Sequence, residues 1–233
     1  MIPYVLRLAD DALVTAQRLG AWYASSHEME EDVALANIAL DQLGAARLLL
    51  SYAGELEGAG RDEDALAFLR SADEFRNCRL VELAEPDFAV VIGKLLFLAA
   101  FQLPLYTGLA SCDDDRLAAI GAKARKESSY HLDHAALWTV RLGDGTQESR
   151  RRMQAAIGGL WPYVPGLFVS PSDGPVALRS LRGAWSSTVE RVLAEATLTR
   201  PVDVPEPAGE RTELAGLLAE MQELHRAHPG VRW

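Results

Sequence analysis

Cysteine is nearly absent from this chain of 233 residues: only Cys78 and Cys112 occur, and they lack CxxC spacing. That excludes a disulfide framework and fits two free thiols in a reducing, cytoplasmic setting, an expectation that the lack of a signal-peptide pattern reinforces. Positive charge is also short, with 23 Lys and Arg against 33 Asp and Glu and a formal net charge of -10. Nucleic-acid binding needs clustered cations to displace counterions from phosphate, and the one basic run, Arg150-Arg151-Arg152, is short enough to be a solvated helix face. Walker and GxGxxG phosphate loops, a GxSxG elbow and HExxH are all missing, and neither cysteine has a His partner in a nucleophile context. One long apolar run exists, Phe88 to Ala110, but Lys94, Gln102 and Pro104 interrupt it, and acids flank it at Asp87 and Asp113-Asp114-Asp115. It reads as a helix buried by protein on all sides, not as a membrane span.

What remains is helix. The residues are 49% hydrophobic but only 7% aromatic, with Ala and Leu prominent, and no strand pattern or internal repeat is evident. The length suits one all-α domain spanning residues 1–233. Pro3 opens a first helix to about Ser25; a second runs from about Glu30 to Glu57, with Asn37 and Asp41 set in an otherwise apolar stretch. A third is expected from about Ala65 to Glu82, after the break at Gly58-Ala59-Gly60. Asp87 caps a fourth, which Pro104 should kink, and the aspartates at 113–115 start a fifth that stops at Gly143-Asp144-Gly145. A sixth covers about Gln147 to Leu160, a proline-rich loop follows, and two further helices span about Val176 to Leu198 and from Thr212 toward Pro229.

The stretch with most chemical content is Lys126 to His134. Residues three or four apart on a helix lie within about 60° of one another, so Glu127, His131 and His134 share a face. A carboxylate-bridged di-metal core needs a Glu from each of two helices and a Glu-x-x-His from each of two others. Taking helices two to five as that core, Asp41 is one methylene short, Glu74-x-x-Asn77 lacks the imidazole, helix four has no carboxylate, and Glu127 and His131 stand four apart. The set falls short of the six ligands required. Asp41, Glu74, Lys94, Glu127 and His131 are therefore read as a vestigial slot, a structural polar cluster in which the Lys94 ammonium neutralises carboxylates a metal would otherwise hold. Plainer readings stand beside it: Glu127 as a surface residue, His131 and His134 as hydrogen-bonded core or rim histidines, Lys94 snorkelling outward.

Leu6 through Asp11, Ala34 through Asp41, Lys126-Glu127 with Tyr130-His131-Leu132, Leu218 through Gln222, and Pro229-Gly230 with Trp233 follow one another in an order that resembles the PaaC family, the C component of bacterial phenylacetyl-CoA monooxygenases, the ring 1,2-epoxidases. The resemblance implies a ferritin-like four-helix-bundle core with flanking helices. It also implies a division of labour: an A subunit that carries di-iron and binds phenylacetyl-CoA, a metal-free C component supporting it, a reductase drawing electrons from NADPH, and a small B subunit aiding assembly. On this reading the chain has no catalytic, cofactor or metal residues of its own, and its partner surface is expected on the first two helices at Trp22, Tyr23 and Leu48. B and reductase contacts and a homodimer of the isolated chain stay open. So does a second class of function, a self-sufficient di-metal oxygenase or oxidase with an atypical ligand set.

Overall fold

The structure, a computed structural model, describes residues 1–209, 211–229 and 231. Gly230 and Trp233 of the C-terminal signature lie outside the described residues. Among these residues there are helices and no strands, an all-α arrangement consistent with a ferritin-like fold. In chain order the α-helices are α1 (Ile2–Ala21), α2 (Met29–Glu57), α3 (Glu63–Phe68), α4 (Arg79–Glu82), α5 (Phe88–Leu109), α6 (Asp115–Gly143), α7 (Gln147–Leu160), α8 (Arg182–Glu195) and α9 (Thr212–Ala227). Short 3-10 helices occupy Ala72–Glu74, Trp161–Phe168 and Leu178–Leu181. Two compact units result, one of Met1–Ala84 with Gly209–Trp233, the other of Glu85–Ala208.

The first unit is built on the hairpin of α1 and α2, which pack along their length. Tyr4, Val5, Leu8 and Ala12 of α1 and Leu35, Ala46, Leu49 and Leu50 of α2 are buried in its core. Gly58 ends α2 at φ +66, a conformation that costs a residue with a Cβ, and its N–H bonds the Gly54 carbonyl. α9 packs on α3 and on the 3-10 turn at Ala72–Glu74.

The second unit is built on the hairpin of α5 and α6. Asp87 accepts a hydrogen bond from the Val90 N–H and Asp114 one from the Leu117 N–H, so both helices start where the sequence puts its caps. α5 is buried along nearly its whole length and continues through Pro104 to Leu109. Phe97, Trp161 and Trp185 pack edge-on or tilted at 5.4–5.6 Å between centroids, and the Trp185 indole donates to the Phe97 carbonyl at 2.9 Å. The proline-rich stretch after α7 thus carries aromatic rings into the core. Gly121 lets α6 approach the end of α5: a Cβ there would stand 2.6 Å from the Ala110 nitrogen.

The expected third helix over Ala65–Glu82 is not continuous. α3 stops at Phe68, Phe75 and Cys78 have extended dihedrals, and only Arg79–Glu82 is α-helical thereafter. The four long helices with partners along their length are accordingly α1, α2, α5 and α6, not the second to fifth helices expected from the sequence.

Candidate functional site

In α5, Lys94 is buried and forms an ion pair with Glu85, the side chains being 6% and 3% exposed. Two opposite charges out of water hold each other, since either alone would be costly there. A lysine neutralising a carboxylate is the chemistry anticipated for Lys94, but the carboxylate is Glu85, which lies outside the expected cluster. Glu127, half-buried on α6, pairs with Lys123 one turn earlier. One turn further on, His131 is buried at 3% exposure.

Asp41 is half-buried on α2, in the first unit. Glu74 needs correcting: it is no helix-face residue but the exposed end of the 3-10 turn, where its carboxylate accepts from the Ser71 N–H at 2.8 Å and the Ser71 hydroxyl at 2.9 Å. Those bonds hold its carboxyl below the usual range. Asn77, three residues on, lies outside any helix and donates to Glu82 at 2.8 Å, so Glu74 and Asn77 do not form a ligand pair.

Within the α5–α6 hairpin the donor chemistry does not fit a di-iron cluster. α5 offers no carboxylate and instead carries Lys94, whose ammonium would oppose a cation. Among the described residues, no group of three or more His, Cys, Asp or Glu is arranged to hold a metal ion.

The densest polar construction lies elsewhere, in the first unit. Asp10, fully buried, receives hydrogen bonds from both terminal nitrogens of Arg70 and from the Arg76 N–H at 2.8 Å. Burial pushes the Asp10 carboxyl above its ordinary pKa, against the opposing pull of Arg70 and the Arg76 N–H. Next to it, Asp11 pairs with Arg7 and accepts from the Cys78 N–H at 2.8 Å. From the other side, Arg211 donates to the carbonyls of Phe75 and Asn77 at 3.1 and 3.0 Å and to the Glu82 carboxylate. Gln222 of α9 donates to the carbonyls of Ala67 and Arg70, each at 3.0 Å. The irregular segment between α3 and α4 therefore has backbone groups answered by side chains of α1, of α9 and of Arg211 just before it, as buried peptide groups require. The adjacent acids in apolar α1 were the signal for this, because two carboxylates on a buried helix must find donors.

Of the expected partner residues, Trp22 and Tyr23 stand at the turn after α1, and Leu48 lies in the second half of α2. Tyr23 is 67% exposed, Leu48 37%, and Trp22 is half-buried. Beside Tyr23 an open groove of 450 Å³ runs between the two helices, walled by Leu13, Ala16, Gly20, Ala36 and Leu40.

A family model described as Phenylacetic acid catabolic protein matches residues 1–233. The chain belongs to the phenylacetic acid catabolic protein family. The C component of 1,2-phenylacetyl-CoA epoxidase from Escherichia coli (strain K12) is 45% identical to it over 243 residues, covering 99% of this chain and 98% of the relative. Among the residues that carry the resemblance, Arg7, Asp10, Asp11 and Gln222 belong to the network around the irregular segment.

Proposed function

We propose that this chain is a non-catalytic subunit of a phenylacetyl-CoA epoxidase, acting in the cytoplasm to support a di-iron catalytic A subunit that binds the thioester and activates dioxygen. The observation that carries this reading is end-to-end similarity to a protein named as the C component of that epoxidase. Buried Lys94 in α5 supports assigning the metal to a partner, because an ammonium held in a helix core disfavours a cation there. Electrons from NADPH enter through a reductase, and a small B subunit assists assembly. α1 and α2 supply the contact with A through the surface around Trp22, Tyr23 and Leu48.

The test is reconstitution. The chain is purified alone and together with the catalytic, B and reductase subunits of a phenylacetyl-CoA epoxidase. Iron and phenylacetyl-CoA turnover are then measured in each preparation. The expected result is no stoichiometric iron and no turnover for the chain alone, and a turnover by the full set that falls when the chain is omitted. Stoichiometric iron with dioxygen-dependent turnover by the chain alone overturns the proposal.

A further inference from the structure

Between Arg150 and Arg200 every arginine but Arg179 is engaged among the described residues. Arg150 donates to the Thr197 carbonyl, Arg151 and Arg152 hold Glu148, Arg182 lies 4.0 Å from Asp203, Arg191 pairs with Glu195, and Arg200 with Glu190. Arg179 is exposed and has no hydrogen bond or ion pair among these residues, and the same holds for exposed Asp173. Both line one pocket of 280 Å³ in the second unit, formed where the chain passes from the 3-10 helix Trp161–Phe168 to the 3-10 helix Leu178–Leu181. Two opposite charges on one pocket that do not meet are each available to a ligand.

The rest of the pocket limits what that ligand is. Its floor is apolar, with Phe168 and Leu178 buried, and the Phe168 ring is fixed edge-on against Phe101 and Trp185 at 5.8 Å between centroids. Ser170 closes the loop by donating to the Ser172 carbonyl at 2.5 Å. The Ser172 hydroxyl, shut off from solvent, has no partner among the described residues, so a turn about its χ1 toward a ligand gives up no bond. The volume is at the lower end for ligand pockets, room for about one nucleotide. A simple anion would meet Asp173 and a simple cation Arg179, while a purely apolar body would strip water from both without replacing it. A compact ligand with an anionic group, an N–H donor and a flat body between them answers every group present. An adenylate has these parts: phosphate for Arg179, the exocyclic amine for Asp173, and a purine for the apolar floor.

We propose that the pocket at Phe168–Arg179 holds an adenylate, with Arg179 binding phosphate and Asp173 selecting the purine amine. Resting on the subunit reading above, its source is the nucleotide end of CoA, whose thioester arm lies outside the pocket. A free adenine nucleotide presents the same chemistry. The site gives this chain a part in capturing the thioester and none in its oxidation.

The test titrates the full purified chain by calorimetry with CoA, AMP, IMP, pantetheine and phenylalanine. Arg179→Gln and Asp173→Ala alter exposed side chains, and Arg191→Gln on α8 is the comparison; thermal unfolding of each establishes that it folds. The expected result is saturable binding of CoA and AMP and none of pantetheine or phenylalanine. IMP, which lacks the amine, should bind at least about tenfold more weakly than AMP. Arg179→Gln should weaken every nucleotide at least about tenfold, less so at high salt. Asp173→Ala should bring AMP down to the affinity of IMP, and Arg191→Gln should bind like the parent. CoA tighter than AMP supports the thioester as the source, and equal affinity supports a free nucleotide at the same site. Absence of saturable CoA and AMP binding up to about 1 mM overturns the proposal. So does parent-like binding by both folded variants, or binding of phenylalanine in place of the nucleotides. Each of these leaves the subunit reading standing, because turnover in the reconstituted set measures that separately. Nucleotide binding by a chain whose omission does not lower turnover overturns the subunit reading alone.

Discussion

The Asp10 carboxylate and the Arg70 guanidinium meet end to end in the interior of the first unit, joining residues 60 apart in sequence by two hydrogen bonds. Arg70 also lies 4.2 Å from the Phe75 ring centroid, so the cation is enclosed by a carboxylate and an aromatic face. Replacing Asp10 by Asn keeps the size of the side chain and leaves a buried guanidinium without its counter-charge. The expected loss is about 3–5 kcal/mol in urea unfolding, typical of breaking one side of a buried pair.

Lys94→Met should destabilise the second unit by a similar amount, because it removes the ammonium beside buried Glu85. Combining it with Glu85→Gln should recover part of that loss, since the remaining group is then neutral. A double-mutant cycle measured by chemical denaturation gives the coupling. Additive losses would show that Lys94 and Glu85 do not depend on each other.

Gln222→Leu tests the grip of α9. The substitution removes two donors from buried carbonyls, at an expected cost of about 1–3 kcal/mol. Amide exchange should quicken around Ala67 to Phe75 and stay at its original rate in α5 and α6.

Gly121→Ala should lower the melting temperature although alanine favours helix, because the added methyl meets the Ala110 backbone. A cost of about 1–3 kcal/mol is expected. A gain would show that α6 can move away from α5 freely.

The pH dependence of α7 has a definite sign. Hydrogen bonds from Arg151 and then Arg152 lower the Glu148 carboxyl from 4.5 to about 2. A depressed folded value means the interaction contributes fully above the unfolded value and is lost as pH falls from about 4.5 through about 2. The stability difference between the parent and Glu148→Gln should therefore shrink across that interval, and added salt should reduce it at neutral pH because the cluster is exposed. A constant difference would remove Glu148 from acid unfolding.

Much of this architecture was legible from local rules. Asp87 caps the helix it was expected to cap, one of the three aspartates expected to start α6 caps that helix, and the burial of α5 follows from an apolar run too interrupted and too acid-flanked for a membrane. The break between α3 and α4 was missed because the helical pattern continues through it in composition. Its local sign was Ser71-x-x-Glu74, a spacing that begins helical turns, while the force that holds the chain extended comes from Asp10, Asp11 and Arg211, far away in sequence. Lys94 stands out in the sequence as a charge inside an apolar run, and such a charge needs a carboxylate. Glu85 escaped notice because it precedes the helix, at a position where an acid usually faces water.

Gln222 reaches back 155 residues to the Ala67 carbonyl, and this distance sets an order of events during synthesis. Everything in the second unit, Glu85–Ala208, has been synthesised before α9 exists. The second unit can close on its own contiguous chain while the first, begun earlier, still waits for its last helix. Until then the carbonyls of Ala67, Arg70, Phe75 and Asn77 must be answered by water. The first segment made is thus the last to mature, and a chain shortened by one helix at its far end would fail at its beginning.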